Sequence, residues 1–315
     1  MTTVSPAAMA SAQTDGNGSQ MSERPRTRIG GGLWRQALYR VLRSKSAILG
    51  LALITAFIAV AVFAPWIAPF RPGDNSWLDQ VRPGQYPGPS AEHWLGIDPQ
   101  GRDVFSRLVY GTRQSLLIGV VSVLLGGSVG VTLGILAGAF GGWVDAIVMR
   151  IVDIMLAVPS LLMAIAVAAV LGPSLTSVMV AIAVTSVPIF ARLLRGQMLG
   201  QRASDYVLAA RAAGLRRSTI IFSHVLPNSV TPVLVQGTLY LSIAIIDAAG
   251  LAFLGLSSPD PSTPEWGRML TDAQDALATA PLLAMAPGAA IVLAALGFTL
   301  LGEQMREALD PKYHR

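Results

Sequence analysis

Ser128 sits in the stretch GGSVG (126–130), the Gly-x-Ser-x-Gly spacing that in a hydrolase holds a nucleophilic serine at the top of a sheet. That chemistry needs a strand, a sharp turn and a nearby histidine, whereas this stretch lies inside a long apolar run that reads as helix. The same residues have a second reading. Gly126, Gly130, Gly134 and Gly138 recur every four positions and form one smooth stripe on which another helix can pack closely. His93, His224 and His314 show no metal-ligand spacing, and cysteine is absent, so there is no thiolate site, disulfide framework or cysteine nucleophile. Neither Lys45 nor Lys312 belongs to a phosphate-binding loop, so the chain is not expected to hydrolyse ATP by itself or to hold a cofactor or metal. Two carboxylates remain. Asp153 and Asp247 lie near or within apolar runs, where such a group is costly and normally faces a cavity or a partner. Asp247 is expected to line a pathway or pair helices; a position near the outer interface is the plainer alternative.

The elements that must position these residues are membrane helices. The chain has 315 residues, of which 52% are hydrophobic and 13% charged, and its mean hydropathy is +0.55, too apolar for a soluble domain. The net charge of +5 fits Lys and Arg gathered in cytoplasmic loops. No basic stripe with interleaved aromatics points to nucleic acid. Residues 1–32 are rich in Ser, Thr, Gly and Gln, lack the apolar core of a signal peptide, and read as a disordered cytoplasmic tail. Five runs are long and apolar enough to cross a bilayer: between Lys45 and Arg71, then 114–144, 154–191, 218–246 extended past Asp247 to 256, and 276–302. As one helix the third would be about 57 Å long, so Gly172 and Pro173 are expected to divide it, giving six transmembrane helices in an all-α protein. Most of the 23 Lys and Arg residues then fall on the side of the N-terminus, and both termini are expected in the cytoplasm. The exceptions, Arg71, Arg82, Arg102, Arg107 and Arg113, cluster in an extracytoplasmic segment at 71–113, with Arg268 further on.

Between the fourth and fifth spans lies DYVLAARAAGLRRSTIIFSHVLPN (205–228). Ser204 and Asp205 suit the start of a short helix, Gly214 suits the left-handed position that ends it, and Ser218 or Thr219 suits the start of a second that stops at Pro227. Such a hairpin fits a groove on a cytosolic partner, or equally a helix lying on its own membrane surface.

The segment AARAAGLRRSTIIFSHVLPN resembles the EAA loop of importer-type ABC transporter permeases. HWLGIDPQGRDVFSRLVYGTRQSL (93–116), FLGLSSPDPSTPEWGRML (253–270) and LGEQMREALDPK (301–312) resemble the dipeptide/oligopeptide permease subunit of the C type, in the same order along the chain. The resemblance implies one half of a peptide pathway in a bacterial plasma membrane, with a homologous permease as the other half. It also implies two cytosolic ATPase subunits that bind ATP and Mg, and an extracytoplasmic substrate-binding protein. Leu208, Ala209, Ala210, Gly214, Leu226 and Pro227 fall on the loop that would couple to the ATPases, with Leu208 where the family's eponymous Glu stands. The family's usual Glu before the AxLxFLGLG stretch is replaced by Ala248, with Asp247 one step earlier and about 100° around the helix. Nickel, glutathione or another small solute is the alternative cargo; a serine hydrolase using Ser128 and a scaffold without transport are the rivals from other classes. The organisation expected is a tail (1–32), a first span (33–70), an extracytoplasmic segment (71–113), a permease core (114–304) and a cytoplasmic C-terminal tail (305–315).

Overall fold

The structure is a computed structural model that describes residues 41, 43–260 and 262–309. The expected N-terminal tail and the charges at Lys312 and Arg315 lie outside the described residues. Helices make up all the regular secondary structure described. Five are long and apolar enough to cross a membrane: α1 (Lys45–Ile67), α2 (Val104–Phe140), α5 (Leu175–Arg202), α7 (Arg217–Phe253) and α9 (Leu282–Leu309). Between α2 and α5 stand α3 (Gly142–Ala157) and α4 (Ser160–Leu171), bent by 93° at a short break. The short helices α6 (Asp205–Ala212) and α8 (Trp266–Ala273) and two 3-10 turns, Leu78–Gln80 and Gln274–Ala276, complete the described elements.

The break expected at Gly172 and Pro173 is present: α4 ends at Leu171, and α5 starts behind Ser174, whose hydroxyl accepts the Ser177 N–H at 3.0 Å. The crossing before that break is a bent one, and with it the spans number up to six among the described residues. Pro159 drives Val158 into the extended region (φ −92°, ψ 130°), so α3 and α4 make one span only as a bent pair. The second run also begins earlier than its apolar core: α2 starts at Val104, where the Asp103 carboxylate accepts the Ser106 N–H at 2.7 Å. At the other end of the chain α9 continues through Leu309, so the first residues of the expected tail are helical.

Lipid provides no hydrophobic drive between helices, so close backbone approach has to hold the bundle together. The stripe of Gly126, Gly130, Gly134 and Gly138 on α2 is buried against α5. A Cβ on Gly126 would collide with the Ser186 hydroxyl and the Ala183 carbonyl. One on Gly130 would stand 2.5 Å from the Val187 carbonyl, one on Gly134 2.9 Å from that of Ala191, and one on Gly138 2.9 Å from Met198 Sδ. A second seam joins α1 to α9, where a Cβ on Gly50 would lie 2.8 Å from the Gly297 carbonyl. Two cores result: one spans α2, α4, α5, α6 and one face of α7 along its length to Leu251, the other joins α1, α8 and α9 to Val104 at the start of α2 and to Ile245 and Ala249 on α7. The outward residues are apolar, with Val170, Trp66 and Trp143 among the most exposed, as lipid-facing surface requires.

Candidate functional site

The loop at 205–228 is built from the chain outward. In α6, Val207 and Ala210 point inward and join Ile220, Ile221 and Val225 in the core, while Leu208 and Ala209 point outward. Ser204 occupies the N-cap position, but its hydroxyl turns back to donate to the Gln201 carbonyl. Gly214 has φ +78°, the Gly214 N–H reaches the Arg211 carbonyl at 2.9 Å and the Leu215 N–H reaches that of Ala210 at 3.2 Å. This pair of bonds is a Schellman closure, which satisfies the last carbonyls of α6 and turns the chain sharply. Open space surrounds Gly214, so backbone conformation alone demands glycine there.

Two expectations for the second helix are corrected. Its N-cap is Arg216, with no side-chain cap from Ser218 or Thr219. Nor does the helix stop at Pro227: it runs on to Phe253 through a π-helical segment, Ile220–Val225, in which the Leu226 N–H reaches back to the Ile221 carbonyl. Widening of the turn takes up the absent proline N–H and moves its ring away from the preceding carbonyls, so helix continuity survives. Leu226 is half-buried and Pro227 exposed. From Arg217 onward the loop is therefore an unbroken extension of a membrane span.

Two arginines tie this loop to the stripe helix. Arg202, at the end of α5, donates to the Gly138 carbonyl at 2.8 Å, and Arg217, at the start of α7, donates to those of Ala139 and Phe140 at 2.7 and 2.9 Å. With the Ala137 carbonyl taken by the Gly141 N–H, every terminal acceptor of α2 is satisfied. In the sequence both arginines count only as loop charge, because 64 and 78 positions separate them from the carbonyls of Gly138 and Ala139. Nearby, Arg195 forms a two-pronged bond to Asp145 at 2.6 Å, and Arg192 pairs with Asp153, so the Asp153 carboxylate faces α5 of its own chain.

The opposite end of the bundle carries a buried ionic cluster. Arg102 bridges Asp98 and Asp272 at 2.7 and 2.8 Å, and Arg107 lies 3.4 and 3.5 Å from the same two carboxylates. It fastens the segment before α2 to α8. Trp266 is fully buried, with its indole N–H on the Leu108 carbonyl at 3.1 Å and its ring over Gly111. Thus two of the stretches that carried the resemblance, far apart in sequence, form one unit. Glu265, just before α8, is 2% exposed; Ser257 donates to one carboxylate oxygen and the other has no partner. Burial pushes its pKa up to about 7.

Comparison with known proteins decides the family. Residues 130–315 match the family described as binding-protein-dependent transport system inner membrane component, and residues 32–86 match the N-terminal TM domain of oligopeptide transport permease C. The dipeptide transport system permease protein DppC of Alkalihalophilus pseudofirmus is 46% identical over 279 residues, 89% of this chain and 90% of that one. The chain belongs to the binding-protein-dependent transport permeases. The glutathione transport system permease protein GsiD of Pectobacterium atrosepticum is 44% identical, with 89% and 91% covered. The di/tripeptide transport system permease protein DppC of Pseudomonas aeruginosa is 43% identical, with 85% and 89% covered. Among solved structures, an inward-facing form of the MetNI methionine ABC transporter superposes with a TM-score of 0.52 at 20% identity, over 65% of this chain and 96% of that one. An amino acid ABC transporter, also at TM-score 0.52, is 15% identical over 63% and 92%. The fold is that of an importer-type ABC permease.

As a permease, the chain is a multi-pass membrane transporter subunit and not an enzyme, and its family works with ATPase subunits and a binding protein. Ser128 donates to the Leu125 carbonyl of its own helix at 2.8 Å, which is helix packing chemistry. Among the described residues no cluster of His, Asp or Glu could hold a metal ion. Asp247 is half-buried on α7, one of its carboxylate oxygens is buried without a partner, and the neighbouring Ile243 and Ile246 are exposed. The structure thus separates the sequence-derived residues into a loop at one end, the glycine stripe inside the bundle, and Asp247 beside an uncovered face of α7.

Proposed function

We propose that this permease forms half of the pathway of an ATP-driven importer for di- and oligopeptides, and that its 205–228 loop is the contact through which cytosolic ATPases drive it. The observation that carries the coupling role is the form of the loop: α6 exposes Leu208 and Ala209 on one face, anchors Val207 and Ala210 on the other, and leads through the Gly214 turn into α7, whose helix continues without a break from Arg217 into the membrane. A load applied to α6 is then transmitted through the packing of Val207 and Ala210 on Ile220, Ile221 and Val225, and through the Gly214 turn, to the continuous helix of α7. Both termini and the loop are placed in the cytoplasm, following the arginines concentrated there. The other half of the pathway is a homologous permease, two ATPases bind ATP and Mg below, and a substrate-binding protein docks on the opposite end, where the ionic cluster stiffens the surface. Asp247 is assigned to the pathway or to the face that meets the second permease, because an unpartnered carboxylate oxygen beside exposed Ile243 and Ile246 is hard to sustain against lipid.

Peptide cargo rests on the two dipeptide-type relatives, and the 44% identity with a glutathione permease keeps glutathione, itself a peptide-like solute, as the second reading. The test is uptake into proteoliposomes holding the complete transporter with its binding protein, using a labelled dipeptide, a labelled tetrapeptide and labelled glutathione. ATP-dependent uptake of the dipeptide, not inhibited by excess glutathione, is the expected result. Uptake of glutathione alone would move the cargo to the second reading, and no ATP-dependent uptake of any of the three would overturn the peptide assignment.

A further inference from the structure

On the bundle side of the 205–228 loop lies a cavity of about 370 Å³ lined by Arg202, Arg211, Leu215, Arg217, Ile220 and Ile221. Three arginines therefore line one space whose lining includes no carboxylate. Asp205, the acidic residue of α6, sits at the far end of that helix from Arg211, nearly two turns away. Such a convergence is unfavourable while it is empty, because like charges repel, and it becomes favourable when an anion enters. The contacts of Arg202 and Arg217 with the α2 carbonyls use one nitrogen of each guanidinium and fix both side chains in place. Their planar forks, held in this way, match the oxygens of a phosphate. Leu215, Ile220 and Ile221 form the remaining wall, so the site offers charge on one side and apolar surface on the other.

Its depth is marked independently. Arg217 is bonded to the Phe140 carbonyl, and Phe140 and Trp143, beside it in sequence, are 63% and 75% exposed. Exposed aromatics at the end of a membrane span lie at the level of the lipid headgroups. We propose that the cavity lined by Arg202, Arg211 and Arg217 is a binding site for a phosphate-bearing anion at the membrane interface, between the coupling loop and the stripe helix. An occupant there would bridge three elements, namely the end of α5, the Schellman turn after α6 and the start of α7, and so would stiffen the loop against α2. The phosphate belongs either to an anionic lipid headgroup or to a free phosphate, and the chemistry of recognition is the same for both.

The experiment uses the intact transporter, with its second permease and ATPases, in nanodiscs of phosphatidylcholine containing one part in five phosphatidylglycerol. After extraction, lipid retained by the purified complex is counted by mass spectrometry for the unmodified protein and for Arg211→Gln. Arg211 is chosen because it lines the cavity without capping α2, so the fold is preserved; ATPase content is measured in the same sample. In a parallel arm, inorganic phosphate is titrated against both proteins in detergent and the melting temperature recorded. Retention of phosphatidylglycerol by the unmodified complex, reduced about tenfold or more by Arg211→Gln, is expected for a headgroup site. A phosphate-dependent rise in melting temperature that the variant lacks, without lipid retention, identifies free phosphate. Equal lipid retention and equal phosphate response in the two proteins would overturn the proposal. So would loss of ATPases from the variant with neither binding signal changed, because the arginines would then belong to the ATPase contact.

Discussion

At the scale of single residues, two carboxylates with unpartnered oxygens behave differently because their surroundings differ. Glu265 is outside the spans, buried against Trp266 and Ser257, with Arg268 close enough to lower its pKa only in part. Burial wins, and the folded state holds a proton that the unfolded chain releases near the ordinary glutamate value of 4.5. Between that value and about 7 the folded state binds more protons than the unfolded one, so stability falls as pH rises through this window and levels off above it. Glu265→Gln mimics the protonated form. It is expected to show a smaller fall in melting temperature between pH 5 and 8 and to exceed the unmodified protein at pH 8 by on the order of 2 kcal/mol. A variant that keeps the original pH slope would contradict this account of Glu265. Asp247 lies within α7 beside the exposed Ile243 and Ile246, and its unpartnered oxygen needs water or a partner subunit. The chain has no cysteine, so Asp247→Cys gives one clean labelling site. In the assembled transporter it is expected to react with a charged maleimide in at least one nucleotide state, or to be shielded by the second permease. Reaction only with lipid-soluble reagents in every state would place it against lipid.

At the scale of elements, the α2–α5 seam is where the structure tolerates least. Gly130→Leu puts a side chain onto the Val187 carbonyl and Phe190 Cβ, at 2.5 and 2.7 Å from its first carbon, and backbone on the facing helix cannot step aside cheaply. A loss of about 3 kcal/mol or more is expected, read as a collapse in recovered folded protein. Gly127→Ala is the control: its Cβ would meet the Phe190 ring at an ordinary 3.7 Å, and the gain in helix propensity makes it neutral or stabilising by up to about 1 kcal/mol. Equal recovery of both variants would mean that the seam is looser than drawn. The stripe was legible beforehand because a four-residue glycine period has one geometric meaning on a helix, and the position of Gly214 was legible because αL backbone ends helices at glycine. What escaped reading depended on contacts distant in sequence. Pro159 and Pro227 look alike as helix breakers, yet one bends its span by 93° and the other is absorbed by the π-helical segment Ile220–Val225. Arg102 and Arg107 looked like exceptions to charge asymmetry until Asp272, 170 and 165 positions away, supplied their counter-charge. The capping of α2 by Arg202 and Arg217 escaped for the same reason.

At the scale of the whole molecule, the permease reads as a stiff end joined to a levered end by packed helices. The Asp98–Arg102–Arg107–Asp272 cluster locks the segment before α2 to α8, and removal of one partner from a buried cluster strands the others. At the other end α6 hangs from the bundle on Val207, Ala210 and the Schellman turn, and leads into α7. Energy from ATP hydrolysis can bias such a structure only if the ATPases contact the loop differently in two states. On the proposed function, this loop is the lever. The most direct measurement compares the unmodified complex with Gly214→Val in proteoliposomes, recording dipeptide uptake and ATP hydrolysis in the same preparation. Gly214 has φ +78° and nothing within 4 Å of an added Cβ, so the substitution strains the turn without creating a clash in the fold. The variant is expected to insert and be recovered normally while uptake falls by about fivefold or more, the equivalent of about 1 kcal/mol of misplaced loop, with the ATPases either released or hydrolysing ATP without transport. Normal uptake, with ATP hydrolysis still stimulated by cargo and binding protein, would contradict it.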